Sequence, residues 1–206
     1  MPQDQPNHLL LLQRFLLEQT DDSHTVSAAD ILSYWESYGI KLGRKSVYSA
    51  IEILQNSGMD IVCVKSTQNH YFVGTRLFEL PELKLLVDAV ESSRFITAKK
   101  SKQLIHKIGM LTSEYHATQL NRHIYMDGTA KPENECIYYT VDKIQTAIQE
   151  KRKISFQYYE YTPRKEKILK HDGYRYQFSP YALIWSRDYY YVVGWSDKHG
   201  TLAQFR

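Results

Sequence analysis

The chain opens with a helical rhythm. Leu9, Leu12 and Leu16 fall on one face of a helix predicted over residues 7–19, and Asn7 stands where a capping side chain is needed. The polar stretch Thr20–Thr25 ends it. Ser27 then opens a second helix, and Asp30 three residues on completes a near capping box, with Asp in place of the usual Glu or Gln. Ile31, Leu32 and Trp35 form its buried stripe, and Gly39 suits the left-handed residue just past its end. After a second breaker, Gly43, a third helix is predicted from Arg44 to Asn56. Its inward positions are Val47, Ala50, Ile51 and Leu54, and Gly58 stops it. The short Gly39–Gly43 link between these helices has the length and glycine content of a helix-turn-helix. Strand-like runs at Ile61–Lys65 and Tyr71–Val73 follow, so residues 1–75 read as a winged helix-turn-helix.

The rhythm stays helical through a linker region, residues 76–136. Pro81 is expected at the first position of a helix whose stripe is Leu83, Leu86, Val87 and Val90. A further helix is predicted from Thr97 to about His116, with Leu104, Ile108, Leu111 and Tyr115 on one face. These stripes are core or a dimer interface, and a homodimer suits a reader of two half-sites. Residues 117–136 read as irregular, with turn signals at Asp127-Gly128 and Lys131-Pro132. Helix resumes at Thr140, with Val141, Ile144 and Ile148 inward.

Beyond it the period changes to two. Ile154, Phe156 and Tyr158 alternate with Ser155, Gln157 and Tyr159. Pro163-Arg164-Lys165 and His171-Asp172-Gly173 turn the chain on either side of Glu166–Leu169. Two apolar-aromatic runs, Tyr181–Trp185 and Tyr189–Trp195, flank Ser186-Arg187-Asp188 as a hairpin. A helix with about five antiparallel strands suits a small bent barrel over residues 137–206. The fold class is therefore α+β.

Composition sharpens this picture in two ways. Most of the seventeen tyrosines fall between Tyr138 and Tyr191, which supports a sheet there. Charge is uneven: residues 1–75 hold five Lys/Arg against eight Asp/Glu, whereas residues 151–206 hold eleven against five. The basic excess thus lies away from the expected DNA reader. Within that reader, however, Lys41 to Ala50 contains three basic residues and no acid. No run approaches the roughly 18 apolar residues of a membrane span, and Leu9–Leu12 is too short for a signal peptide. Cys63 and Cys136 lack metal-ligand spacing and read as reduced thiols, so a soluble cytoplasmic protein is expected.

The helix at Thr140, the Ile-Ser-Phe-Gln-Tyr strand, Ser-Pro-Tyr-x-Leu, the aromatic strand and the closing Phe-Arg follow the order of the WYL domain. Residues 138–206 resemble that family. Its eponymous Trp-Tyr-Leu triplet falls on Tyr190-Tyr191-Val192, so only the central tyrosine is kept. The resemblance implies an Sm-like antiparallel β-barrel that senses nucleotides or nucleic acid. By the family pattern Arg206 is the first ligand-binding candidate, with Ser179, Tyr181, Tyr191 and Gln204 behind it. An arginine fork suits a phosphate, and a tyrosine can stack on a base. Family members continue past this Phe-Arg into a C-terminal extension, which leaves a naturally short sensor and a fragment both open.

The N-terminal half also looks like the winged helix commonly coupled to this domain. Where the family tends to carry Asp-Arg-Lys-Thr-Val-Tyr-Arg-Asp, this chain has Gly43-Arg44-Lys45-Ser46-Val47-Tyr48-Ser49-Ala50. The second arginine and both acids are replaced. The DNA-binding candidates are Lys41, Arg44, Lys45, Ser46, Tyr48 and Ser49, with Arg44 and Lys45 able to reach phosphates or guanine edges. The expected partners are a double-stranded operator and a nucleotide or single-stranded nucleic-acid effector. A different reading, carried by the charge distribution, has the basic C-terminal barrel grip single strands without any operator reading.

Other chemistry finds no foothold in the sequence. No phosphate-binding loop, dinucleotide fingerprint or nucleophile elbow occurs. None of the eight histidines has metal-motif spacing, and His106, His116, His171 and His199 read as surface or capping residues. Neither an enzyme nor a bound metal or cofactor is expected.

Overall fold

The computed structural model describes residues 7–120, 131, 137–164 and 166–206. The chain divides into two compact units, one comprising Met1–Glu91 with Ser101–Met126 and the other Ser92–Lys100 with Asp127–Arg206.

The first unit begins with α1 (His8–Gln19), whose cap is Asn7: its side chain accepts from the Leu9 amide at 2.9 Å. A two-residue strand, β1 (Val26–Ser27), precedes α2 (Ala28–Ser37). The capping box forms as the sequence suggests. Asp30 Oδ2 accepts from the Ser27 amide at 2.8 Å, and the Asp30 amide donates to Ser27 Oγ at 3.3 Å. These bonds, the backbone one first, hold the Asp30 carboxyl below its ordinary value against the opposing effect of burial. Next come α3 (Arg44–Asn56), β2 (Ile61–Val64) and β3 (His70–Val73). The strands form an antiparallel sheet in the order β1-β3-β2.

The three helices and this sheet enclose one core. Leu12, Leu16, Ile31, Trp35, Val47 and Ala50 are buried in it, with Ile61 and Val73 from the strands. Trp35 is fully buried and donates its indole N–H to the His8 carbonyl at 3.1 Å. Thr20 ties helix to sheet: its hydroxyl donates to the Leu16 carbonyl and accepts from the Val73 amide.

A smaller cluster in the same unit gathers Leu83 and Val87 of α4 (Leu80–Ser92), Ile105 and Ile108 of α5 (Ala98–Gly109), and Leu120 of α6 (Glu114–Leu120). The sequence differs from the structure here. The single helix expected over Thr97–His116 is broken into α5 and α6 at Met110–Ser113. Ser113 is the cause, because its hydroxyl accepts from the His116 amide at 3.1 Å and restarts the helix. That restart carries helix through Leu120, into the stretch expected to be irregular. Pro81 takes the second position of α4, and Leu86, Leu111 and Tyr115 are exposed rather than core. The turn signals Asp127-Gly128 and Pro132, and Cys136, lie outside the described residues.

In the second unit, α7 (Ile137–Gln149) starts three residues before the expected Thr140 and packs against the long strand β7. Strands β4 (Ile154–Gln157), β7 (Arg175–Ser186), β8 (Tyr189–Ser196) and β9 (Thr201–Phe205) form an antiparallel sheet in the order β4-β7-β8-β9. Strands β5 (Tyr159–Tyr161) and β6 (Lys167–Leu169) pair only with each other. The closed barrel is therefore corrected to an open sheet beside a two-stranded ribbon. The alternating run over Ile154–Tyr159 does not stay in one sheet: it leaves β7 after Gln157, and Tyr159 begins the ribbon. Among the described residues, β4 and β9 remain sheet edges.

Two local features shape this sheet. Arg187 and Asp188 both have positive φ, 49° and 63°, giving the two-residue turn whose twist suits a hairpin. Gly194 sits where β7 and β8 approach closely, and a Cβ there would lie 2.0 Å from the Ser179 carbonyl oxygen. Next to it, Tyr181 is the extra residue of a bulge between Pro180 and Ala182. One sheet face carries an aromatic cluster in which Phe205 lies 5.0 Å from Phe156 and 5.2 Å from Phe178, with Tyr176 beside them. At the hairpin tip Phe95 packs edge-on against Trp185, 4.8 Å between centroids, and Arg94 lies 3.6 Å from Asp188.

Candidate nucleic-acid interface and ligand face

The burial of Val47, Ala50, Ile51 and Leu54 fixes the rotation of α3. Arg44, Lys45, Tyr48 and Ser49 therefore lie on its solvent side, and all four are exposed. Lys41 is exposed in the preceding loop. Ser46 departs from this set: it is half-buried at the margin of the face. The N-terminus of α3 has Gly43 as cap, no side-chain capping bond and no acid in its first turn. Arg44 and Lys45 thus stand beside free amide donors and the positive end of the helix dipole, a combination that suits a phosphate.

Two exposed charged residues of this unit were not singled out from the sequence. Glu52 is exposed one turn beyond Tyr48, so the face is positive at its start and carries an acid in its middle. Its position followed from the helical period counted from Lys45 and Tyr48. Lys65 is exposed at the start of the β2–β3 connection.

The second candidate set belongs to the open sheet. Paired residues share a face, and Ser179 pairs with Trp195, Gln204 with Val193, and Tyr191 with Ile184. Alternation along β8 places Tyr191, Val193 and Trp195 on one side, and Arg206 continues the alternation of β9 after Gln204. Ser179, Tyr191, Gln204 and Arg206 are thus brought to the face opposite the aromatic cluster. Tyr181 is the exception, because the bulge takes it out of the row, although it is exposed. Arg206 is held over the Tyr189 ring, 4.7 Å from its centroid. The same face exposes Trp195, Ile184 and Leu202, which sequence reasoning passed over. Their signal was the period-two run Tyr191–Val193–Trp195.

The basic excess of residues 151–206 is not gathered on that face. Lys153 pairs with Asp197 at 2.7 Å and Lys170 with Glu160 at 2.9 Å. The Lys167 ammonium lies 3.6 Å from the Tyr159 ring centroid, and that of Lys198 lies between Tyr174 and Tyr176. Much of the charge is spread over local partners.

A third polar cluster has a structural character. Asp21 is buried and accepts from Ser113 Oγ at 2.6 Å, from the Ser23 and His24 amides, and lies 2.7 Å from His24 Nδ1. Burial pushes its carboxyl up, but the bonds from Ser113, His24 and Ser23 outweigh this and hold it below its ordinary value. His116, expected at the surface, is half-buried with Nε2 3.8 Å from Asp21. Asp21, Asp22 and His116 have the donor types of a metal site, their ligand atoms within 4.8 Å of one another. Both Asp21 oxygens already accept hydrogen bonds, which assigns them to holding the turn.

A WYL domain profile matches residues 139–206, the span of α7 and the open sheet. Residues 139–206 are a WYL domain. This WYL domain is about a third of the chain. No curated protein matches the chain. Among solved structures it is similar to proteasome accessory factor B/C (PafBC) of Arthrobacter aurescens, with 15% identity and a TM-score of 0.29. That alignment covers 97% of this chain and 31% of the PafBC chain, so the chain spans about a third of that protein's length. No helix among the described residues is long and apolar enough to cross a membrane.

Proposed function

We propose that this protein is a non-catalytic, DNA-binding transcription regulator of the cytoplasm, with its WYL domain as the sensor. The observation that carries the reading is the solvent face of α3. Arg44, Lys45 and Tyr48 surround an uncapped, acid-free helix start in a unit of three helices and a small antiparallel sheet. That arrangement is the plan of a winged helix, with α3 as the recognition helix and the β2–β3 connection as the wing. Arg44 and Lys45 grip phosphates, while Tyr48, Ser49 and Glu52 face base edges. A glutamate there accepts from a cytosine amino group. Two copies read the two half-sites of an operator.

The WYL domain binds its effector on the outer face of the sheet. Arg206 takes a phosphate, Gln204 and Ser179 offer hydrogen bonds, and Trp195 and Tyr191 supply stacking surfaces. The effector class is a nucleotide, oligonucleotide or similar anion. Its differential affinity for free and DNA-bound protein shifts operator occupancy.

The test is duplex binding measured across a salt series against a genomic fragment library. Affinity falls steeply with salt, and Arg44→Ala with Lys45→Ala makes the dependence shallower by about 1.8 in log–log slope, two phosphate contacts at ~0.9 each. Binding to no fragment, or binding indifferent to both substitutions, removes the reading. The exposed Trp195 and Leu202 favour a second one, in which the WYL domain grips single strands and the N-terminal unit reads no operator. Tight single-strand binding abolished by Trp195→Ala, together with no duplex binding, selects it.

A further inference from the structure

A cavity of about 580 Å³ opens in the first unit, walled by α4, α5, α6 and the end of α1. Its floor is apolar: Val87 of α4 and Leu120 of α6 are buried, and Ile105 of α5 is half-buried. The smaller core is thinly filled here, with Leu83, Val87 and Leu120 as its fully buried members among the described residues. Gly109 and Ala117 line the cavity with almost no side chain, and a Cβ at Gly109 would already touch that of Ala117 at 3.4 Å. The volume lies within the roughly 300–1,000 Å³ of small-molecule sites.

The rim carries both signs of charge. On α5, Lys102 and His106 stand one turn apart, on the stripe that includes Ile105 and Gly109. Glu91 of α4, half-buried, and Glu114 at the start of α6 supply carboxylates. Glu18 of α1 also lines the cavity but is engaged by Arg14 at 2.9 Å. Among the described residues, no ion pair joins Lys102 or His106 to Glu91 or Glu114, although all four border one space.

Charge and floor together select the occupant. A wholly apolar molecule would cover the floor but strip water from the charged rim without replacing it. A phosphate meets Glu91 and Glu114, and an organic cation meets Lys102. A molecule with both charges at one end and an apolar body at the other satisfies every wall. We propose that this cavity binds a free α-amino acid with a large apolar side chain. Its ammonium group takes Glu91 and Glu114 as acceptors, and its carboxylate accepts from Lys102 and His106. Its side chain covers Val87, Ile105 and Leu120 and completes the thin core. The site belongs to the first unit and takes a different chemical class from the effector assigned to the WYL domain, so it stands whether or not that reading does.

The test is calorimetric titration of the full chain with L-leucine, L-methionine and L-phenylalanine. Each is compared with its own amine lacking the carboxylate and its own acid lacking the amine; for phenylalanine these are phenethylamine and 3-phenylpropionate. At least one amino acid is expected to bind about tenfold more tightly than either half-ligand, the loss of one charge-assisted contact. Lys102→Gln should lower the amino acid to the level of the amine, and Glu91→Gln to that of the acid. Glutamine preserves helix propensity, and thermal melting checks the fold. Lys107→Gln, on the same helix but outside the cavity lining, should leave affinity in place. Failure of all three amino acids to bind at millimolar concentration overturns the proposal. Equal binding of amino acid and half-ligands, which is partition into an apolar crevice, overturns it too, as does affinity that ignores both cavity substitutions. The half-ligand comparison uses the unaltered protein and decides the matter even where a variant does not fold. Duplex binding by the same preparations scores the DNA-reading proposal separately.

Discussion

The two units treat their tryptophans in opposite ways. Trp35 is fully buried and hydrogen-bonded in the N-terminal core, whereas Trp195 stands 41% exposed on the open sheet. The contrast extends to their surroundings. The N-terminal unit wraps three helices around a small sheet and buries most of its apolar stripe residues. The WYL domain buries Tyr176, Phe178 and Val192 on one sheet face but leaves Tyr181, Ile184 and Leu202 exposed. A scaffold that positions a helix end needs a closed core. A sheet that offers a surface to a planar ligand must leave aromatic groups uncovered.

Substitutions can break this comparison. The largest effect is expected from Trp35→Ala, about 3–5 kcal/mol of lost stability, read by denaturant unfolding. Trp195→Ala in the same assay should change stability by less than ~1 kcal/mol. Equal losses would show that the exposed face is structural after all. Next comes Gly194→Ala, where the new methyl meets the Ser179 carbonyl and the Phe178 ring. A loss of about 3 kcal/mol or more is expected in the WYL domain's transition, with the N-terminal transition untouched.

Ser113→Ala sharpens the contrast from the other side, because it leaves an oxygen of buried Asp21 short of a donor. The expected cost is about 1–3 kcal/mol at neutral pH. Asp21 is held below its ordinary carboxyl value, so its stabilisation is complete above about pH 3.9 and is lost as pH falls through the lower, folded value. The gap between wild type and Ser113→Ala should therefore narrow below that pH in acid unfolding curves. A constant gap would mean that Ser113 acts through packing. The smallest effect is Trp195→Ala on ligand affinity: about 1 kcal/mol for one stacked base, measured by fluorescence titration with single-stranded oligonucleotides.

What was legible in the sequence was local. The caps Asn7 and Ser27, the stops Gly39 and Gly58, and the inward residues of α3 all follow from neighbours within about a turn, and the structure has them. Strand β1 escaped because two residues carry no period. The break before α6 escaped because the apolar spacing of Ile108, Leu111 and Tyr115 runs straight across it and hides the cap that Ser113 gives the His116 amide. The closed barrel failed for the same kind of reason: strand alternation reports burial on a face, not which edges meet. The site residues divide likewise. Period two alone brings Ser179, Tyr191, Gln204 and Arg206 to one face, but nothing local announces the bulge that removes Tyr181 from the row. On α3, the weight given to positive charge concealed Glu52, which the same helical period places on the exposed face with Lys45 and Tyr48.

The hydrogen bond from Ser113 to Asp21 also bears on biosynthesis. The carboxylate is buried at the end of the first helix, yet its donor, with Leu120 of the smaller cluster, is made only after α4 and α5. While the chain leaves the ribosome, α1 to α3 can assemble around Trp35 with Asp21 still in contact with water. The unit becomes complete only when Ser113 and then Leu120 emerge, so the proposed reading head waits for a later segment of its own message.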